Sequence, residues 1–338
     1  MCETNMGDGN NILITGGTGF IGSRLALACL SRGQSVRVLA QTNNDMESSN
    51  AAMITDRGGE VVIGSVTDRE TLDQATAGVD VVYHLAAAQH EANVPDQRFV
   101  DVNVTGTRNV LEAAVQSGVR RFVHGSTIGV FGGAPGRTID EHSPLAPTNI
   151  YGTTKLEAEK VVASYADRIP AVIVRISETY GPGDGRLVKL FRGLGGGRFF
   201  LIGRGRNLHH PIYNDDLLDG LRLAANGHSH PARPFVLAGP TPVSTRDMVA
   251  AVAAAVGKPA PRLRSPLWPF WLAAVAMEAT LGRIGIQPPL HRRRLNFFVL
   301  SFAFSGNDAR EAIGFVPKVG FDQGAERTAR WYKETGRL

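Results

Sequence analysis

The run Thr15-Gly16-Gly17-Thr18-Gly19-Phe20-Ile21-Gly22 constrains this chain more than any other stretch. It lies between a short apolar run, Ile12-Leu13-Ile14, and a helix-like segment from Ser23 to Arg32. Strand, glycine turn and helix in that order make a cradle for a phosphate group. Gly16 lets the chain turn tightly, and Gly19 lets backbone N–H groups approach an anion with no Cβ in the way. Gly22 lets the helix pack on the strand with its positive end toward the anion. The reading is a dinucleotide pyrophosphate held by Gly16, Thr18, Gly19, Phe20, Ile21 and Gly22. Glycines serving only as turn punctuation are the alternative.

The first half alternates strand and helix signals at the pace of βαβ units. Apolar, β-branched runs occur at 12–14, 36–39, 61–63, 79–84, 121–124 and 171–176, with helix-like segments at 23–32, 69–75, 102–117 and 150–166. Near-continuous apolar strands with helices between them imply an α/β fold, a doubly wound parallel sheet of Rossmann type. After Gly181-Pro182-Gly183-Asp184-Gly185 the pattern becomes glycine- and proline-rich. The expected division is a tail at 1–10, a dinucleotide-binding domain at 11–185, and a smaller, mixed C-terminal substrate lobe at 186–210 and 241–338. Residues 211–240 are expected to return to the first domain. Ligands then bind in the crevice at the carboxyl ends of the strands.

Composition narrows the partners. The chain has 338 residues, 43% hydrophobic and 20% charged, with a net charge of +5. Its basic residues are scattered, apart from Arg292-Arg293-Arg294, and no aromatic-interleaved basic stripe suits nucleic acid. Cys2 and Cys29 are too few for a disulfide framework, and no ligand cluster suits a metal. Residues 1–10 lack the features of a signal peptide, so a cytoplasmic location is expected. Leu267–Leu281 is strongly apolar but short for a bilayer and holds Pro269 and Glu278. It reads as a buried or pocket-lining helix, with an interfacial membrane contact as the alternative.

Tyr151 and Lys155 are one helical turn apart, on one face of the segment 150–166. A nearby ammonium stabilises phenolate and brings a tyrosine toward acid/base use. Thr127 follows the strand 121–126, and its hydroxyl could hold the oxygen that Tyr151 protonates; Ser126 could serve instead.

These features together resemble the extended short-chain dehydrogenase/reductases of the NAD-dependent epimerase/dehydratase superfamily. The resemblance rests on the glycine run, His84-Leu85-Ala86-Ala87, Asn103-Val104-Thr105-Gly106-Thr107, Ser126-Thr127 and Tyr151-Gly152-Thr153-Thr154-Lys155, in that order. Arg175 and Tyr180-Gly181-Pro182-Gly183 extend it to the domain junction. It implies an enzyme using NAD, with Leu85, Ala86 and Ala87 beside the adenosine ribose and phosphates. Asn103 would support the geometry of the active-site helix. Lys155 would bind the nicotinamide ribose and tune Tyr151, Tyr151 would act as acid or base, and Thr127 would hold the reacting oxygen. The helices near 102–117 and 150–166 would form a four-helix homodimer interface.

Departures from the family pattern bear on cofactor and substrate. The second strand ends Leu39-Ala40-Gln41, without the acid that reads NAD ribose or the arginine that meets the NADP 2′-phosphate, so NADP stays open beside NAD. Ser65-Val66 stands where relatives often place an Asp before an apolar residue at the adenine. Glu178 replaces an Asn that faces the diphosphate of nucleotide sugars, where a carboxylate would repel by about a kcal/mol or more unless a cation intervenes. Arg186, Lys189, Arg192, Arg204 and Arg206 could supply one. His210, with His209, could orient substrate or be structural. The second lobe is most similar to the 3β-hydroxysteroid and sterol dehydrogenase branch. Three readings follow: a dehydrogenase or reductase of a secondary alcohol or ketone, sterol-like in body; a nucleotide-sugar epimerase or dehydratase with tightly bound NAD; and a non-catalytic dinucleotide-binding protein.

Overall fold

A computed structural model describes residues 11–89, 94–133, 137–197, 199–227, 234–280, 290 and 295–338. Seven strands form its central sheet: β1 (Asn11–Thr15), β2 (Ser35–Ala40), β3 (Glu60–Ile63), β4 (Val81–His84), β5 (Arg121–Thr127), β6 (Ala171–Ile176) and β7 (Pro234–Leu237). They run in the order β7-β6-β5-β4-β1-β2-β3, every pair parallel. The chain reverses its direction of travel across the sheet between β1 and β4, which opens a crevice at their carboxyl ends.

The strands read as continuous apolar runs because both faces are covered. Ile12, Ile14, Val36, Val38, Val123 and Val174 point to one side, into a core with Leu217, Leu221 and Leu25. Leu13, Leu39, Val82, Phe122 and Ile173 point to the other, against Val110, Leu111 and Val162. This alternation is the period-two pleat of a strand buried on both sides. Segment 214–226 packs on β5 and β6. Ala309, Ile313 and Phe315 join the same core, so the C-terminal stretch is shared between sheet and lobe.

Three helical features depart from expectation. The first helix starts at Phe20 rather than Ser23, so the glycine run opens straight into it. A helix at Asp45–Asp56, unmarked by periodicity, buries only Ile54. A reciprocal cap holds its start: Asn44 Oδ1 accepts from Glu47 N at 3.0 Å, and Glu47 Oε2 accepts from Asn43 N at 2.8 Å. The segment expected at 102–117 is a five-residue π-helical turn, Asp101–Thr105, followed by a helix at Gly106–Gln116.

The stretch expected to be buried or pocket-lining is neither. The helix Trp268–Thr280 buries only Ala274, while Trp268, Trp271 and Leu272 are 65%, 48% and 52% exposed. It follows a short peripheral strand, Arg264–Ser265, and does not reach the core clusters or the main cavity. Among the described residues no helix is long and apolar enough to cross a membrane. Leu281, Arg292, Arg293 and Arg294 lie outside the described residues.

Phe122 is fully buried on β5, an interior strand of the sheet. Phe122→Ala is expected to destabilise the chain by about 3–5 kcal/mol, measured by denaturant unfolding.

Candidate active site

The carboxyl edge of the sheet opens into a cavity of about 720 Å³. At one end are Gly16 and the loop Thr18–Gly22; at the other are Thr127, Tyr151, Glu178 and aromatic residues of the second lobe.

The glycine end is built from backbone. Gly16 has φ +69°, and a Cβ there would lie 2.8 Å from Ala86 N. A Cβ on Gly22 would lie 2.3 Å from Gly16 O. The helix beginning at Phe20 has no side-chain cap and no acid in its first turn, so its N-terminal N–H groups and dipole are free to meet an anion. An extended dinucleotide fits this cradle: Gly16, Thr18, Gly19, Phe20, Ile21 and Gly22 would hold its pyrophosphate. Thr18 Oγ1 donates to Gln41 O at 2.8 Å, pinning the loop to the end of β2. Gln41, Ser65, Val66, Leu85, Ala86 and Ala87 all line the same wall. Glu47, which sequence reading missed, joins them because its helix starts at Asp45; the signal was an acid three residues after Asn44.

A buried polar chain ties this end to the helix Ile150–Ala163. Thr15 Oγ1 lies 2.7 Å from His84 Nδ1 and accepts from Ala86 N. His84 Nε2 lies 2.9 Å from Thr107 Oγ1, which donates to Asn103 O. Only a neutral ring with its hydrogen on Nε2 satisfies every partner. Burial first, and the Lys155 charge second, push the His84 pKa down to about 3, so the ring stays neutral. Asn103 bonds both the N–H and the C=O of Ala88 and donates to Thr154 Oγ1 at 3.0 Å. Asn103 is fully buried and does not line the cavity; it acts by positioning the Ala86–Ala88 loop against the helix Ile150–Ala163.

At the catalytic end Asn149 caps that helix, its Oδ1 accepting from Gly152 N at 3.0 Å. Tyr151, Lys155 and Glu159 follow on one face. Tyr151 meets the cavity and hydrogen-bonds Thr127. Burial raises its pKa to about 12, opposed by the Thr127 bond and by the Arg186 charge. Arg186 lines the cavity, stacks over Phe20 at 5.6 Å and pairs with Asp184 at 2.9 Å.

Three residues sit differently from expectation. Lys155 is 1% exposed and lies beneath the cavity wall rather than on it, its Nζ 3.4 Å from His124 Nε2. Burial lowers its pKa to about 8, against the pull of Glu159. Ser126 lines the cavity, but its Oγ donates to Glu159 Oε1 at 2.5 Å. Glu159 also takes Arg175 at 2.8 Å in a buried pair; it was legible as the acid one turn beyond Lys155. His210 is structural: its ring lies 2.9 Å from Gly239 O and accepts from Phe304 N, with 3% exposure. Glu178, which lines the cavity, is met by the neighbouring His209 Nδ1 at 3.0 Å, and His209 Nε2 lies 3.0 Å from Thr245 Oγ1.

A parallel sheet with a glycine-built anion cradle and a Thr-Tyr-Lys corner defines a dinucleotide-dependent oxidoreductase fold. The pattern of the NAD dependent epimerase/dehydratase family matches residues 12–238. The chain belongs to that family of NAD-dependent enzymes, among the extended short-chain dehydrogenase/reductases. It is 30% identical to a 4-hydroxy-2-methyl-3-oxo-4-farnesyl-3,4-dihydroquinoline-1-oxide ketoreductase of Stigmatella aurantiaca, over 93% of this chain and 94% of that one. It is 26% identical to the N-acetyl-alpha-D-glucosaminyl-diphospho-ditrans,octacis-undecaprenol 4-epimerase of Escherichia coli O157:H7, over 95% of both. A double mutant of the Streptomyces venezuelae dTDP-glucose 4,6-dehydratase DesIV, solved with NAD and DAU bound, matches with a TM-score of 0.77 at 25% identity, covering 96% of this chain and 97% of that one.

The Lys155 shift has a measurable consequence. Between about pH 8 and its ordinary 10.5 the unfolded chain keeps a proton that the folded chain has released, so folding stability gains with rising pH. The gain is at most about 1.4 kcal/mol per pH unit. Lys155→Met should remove it, seen as a flatter stability profile across that window in chemical denaturation.

Proposed function

We propose that the chain transfers hydride between NAD and a secondary alcohol or ketone carbon, with Tyr151 as the acid/base group. The observation that carries this reading is the Thr127–Tyr151 hydrogen bond facing the cavity that begins at the glycine cradle. The dinucleotide, when bound, supplies a hydride acceptor or donor at its nicotinamide. Thr127 holds the reacting oxygen beside the Tyr151 Oη. In reduction Tyr151 gives its phenolic proton to that oxygen; in oxidation it takes the hydroxyl proton. Its raised pKa keeps the phenol protonated and ready as an acid, and the Arg186 charge moderates the cost of ionising it. Lys155 supports this corner from below the wall. Glu47 beside Gln41 favours NAD over NADP, because a carboxylate at the adenosine end repels a 2′-phosphate.

The substrate end is lined by Leu187, Met248, Phe297, Leu300, Phe302 and Phe321, which suits an apolar body. The farnesylated substrate in the Stigmatella ketoreductase's name agrees with that lining. A second reading, a nucleotide-sugar epimerase or dehydratase, is favoured by the epimerase and dehydratase relatives and by Arg186 in the cavity. In either case we carry the homodimer through the helices near 102–117 and 150–166 as part of the proposal.

Tyr151→Phe is expected to lower turnover by about a hundredfold to ten-thousandfold while leaving NAD affinity within about twofold, read by steady-state kinetics and calorimetry. Retained activity would remove Tyr151 from the proton transfer. Mass spectrometry of the freshly purified chain separates the two substrate readings. Stoichiometric retained NAD means an internal redox cycle on a sugar, and a freely exchanging site means a dehydrogenase.

A further inference from the structure

Strand β6 ends at Ile176, opposite Thr127 of β5 in register, yet the backbone stays hydrogen-bonded beyond it. Ser177 N donates to Leu237 O at 3.1 Å, and Ile212 N donates to Glu178 O at 3.0 Å. Side chains alternate along such a segment, so Ile176 and Glu178 fall on one face. Both line the cavity, as Thr127 does. Two residues of extended chain set the Glu178 backbone about 7 Å beyond the level of Thr127.

The Glu178 carboxylate is held by His209, whose Nδ1 lies 3.0 Å from Oε1 and 3.1 Å from Oε2. An ionised carboxylate only accepts, so Nδ1 carries the hydrogen. The His209 side chain is 2% exposed and does not line the cavity, whereas that of Glu178 is 38% exposed. A ligand entering from the cavity therefore meets the carboxylate and not the ring. On the far side of the ring Thr245 Oγ1 lies 3.0 Å from Nε2 and donates to Asn207 Oδ1 at 2.7 Å. Asn207 Nδ2 in turn donates to Phe297 O and Leu300 O, which ties the apolar wall to the same network. Among the described residues the group paired with Glu178 is this histidine rather than an arginine or lysine. Arg186, which also lines the cavity, is held by Asp184 at 2.9 Å and donates to Thr179 O.

We propose that Glu178 determines substrate choice: it accepts a hydrogen bond from a hydroxyl or N–H of an uncharged substrate and turns away a phosphate or diphosphate at that end. The bifurcated His209 bond leaves acceptor positions on both carboxylate oxygens, and a hydroxyl or N–H can fill one. A phosphate oxygen has no hydrogen to give there, and its charge repels the carboxylate. Phe297 and Leu300 beside it suit an apolar body. This inference rests on the hydride-transfer reading and chooses within it. The substrate is an alcohol or ketone whose apolar body carries a second hydrogen-bond donor, about a ring's width from the reacting carbon.

Calorimetric titration of uridine diphosphate into the NAD-saturated chain tests the exclusion without requiring turnover. The wild-type chain should bind it with a Kd above about 1 mM. Glu178→Gln removes the charge and keeps the shape, and should tighten binding by at least about fivefold. Glu178→Asp keeps the charge and should bind as weakly as the wild type. Reduction of 4-hydroxycyclohexanone and of cyclohexanone with NADH tests the second donor. Glu178→Leu should raise KM for the hydroxylated ketone by at least about tenfold, with kcat and the KM for cyclohexanone each within about twofold. Micromolar binding of uridine diphosphate by the wild-type chain, no gain in Glu178→Gln, or an equal KM change for both ketones would overturn the proposal. Were neither ketone reduced, the titration alone would decide Glu178, so failure of the hydride reading is told apart from failure of this one.

Discussion

The active site depends on how closely two turns of backbone approach at the carboxyl edge of the sheet. Gly16 and the Leu85-Ala86 peptide meet where any side chain on Gly16 would collide, and Gly22 lies against the carbonyl of Gly16. That approach places an uncapped helix end beside the strand ends. Everything the cavity can do with an anionic cofactor follows from those free N–H groups and the dipole behind them. The parallel order of the sheet supplies the rest, because β1 and β4 end at the same level and the chain leaves them in opposite directions.

A hydrogen-bonded link joins the glycine end to the helix that carries Tyr151. Thr15, His84, Thr107, Asn103 and Thr154 form that link through the sheet's upper layer. Burying so many polar atoms is costly unless each finds a partner, and here nearly all do. Beside this link His124 keeps an Nδ1 with no partner among the described residues, while its Nε2 faces Lys155. Lys155 is buried beside this imidazole; burial lowers its pKa, and the Glu159 charge opposes that shift.

The sheet was legible because its strands are apolar on both faces and the glycine turn sits where such a fold requires it. Tyr151 and Thr127 were legible for the same local reason: a hydroxyl at a strand end and a phenol at the start of the following helix. What sequence could not show was the direction of long or polar side chains after packing. Ser126 and Lys155 turn inward because Glu159 attracts them, and His210 is consumed by the backbone of Gly239 and Phe304. The helix at Asp45–Asp56 escaped notice because it buries almost nothing, although its reciprocal cap was written in Asn44 and Glu47. Leu267–Leu281 misled in the other direction. Apolar composition indicated a core helix, yet tertiary packing leaves its tryptophans in solvent.

The central claim is that the cradle at Gly16 binds NAD and that the rest of the site is arranged around it. Calorimetric titration of NAD into the chain, freed of any retained nucleotide, tests this most directly when repeated with Gly16→Ala. The account predicts one class of site in the wild-type chain and at least about a tenfold loss of affinity in the variant, with the folded state retained. A wild-type chain that binds no NAD, or a variant that binds it equally well, would contradict it.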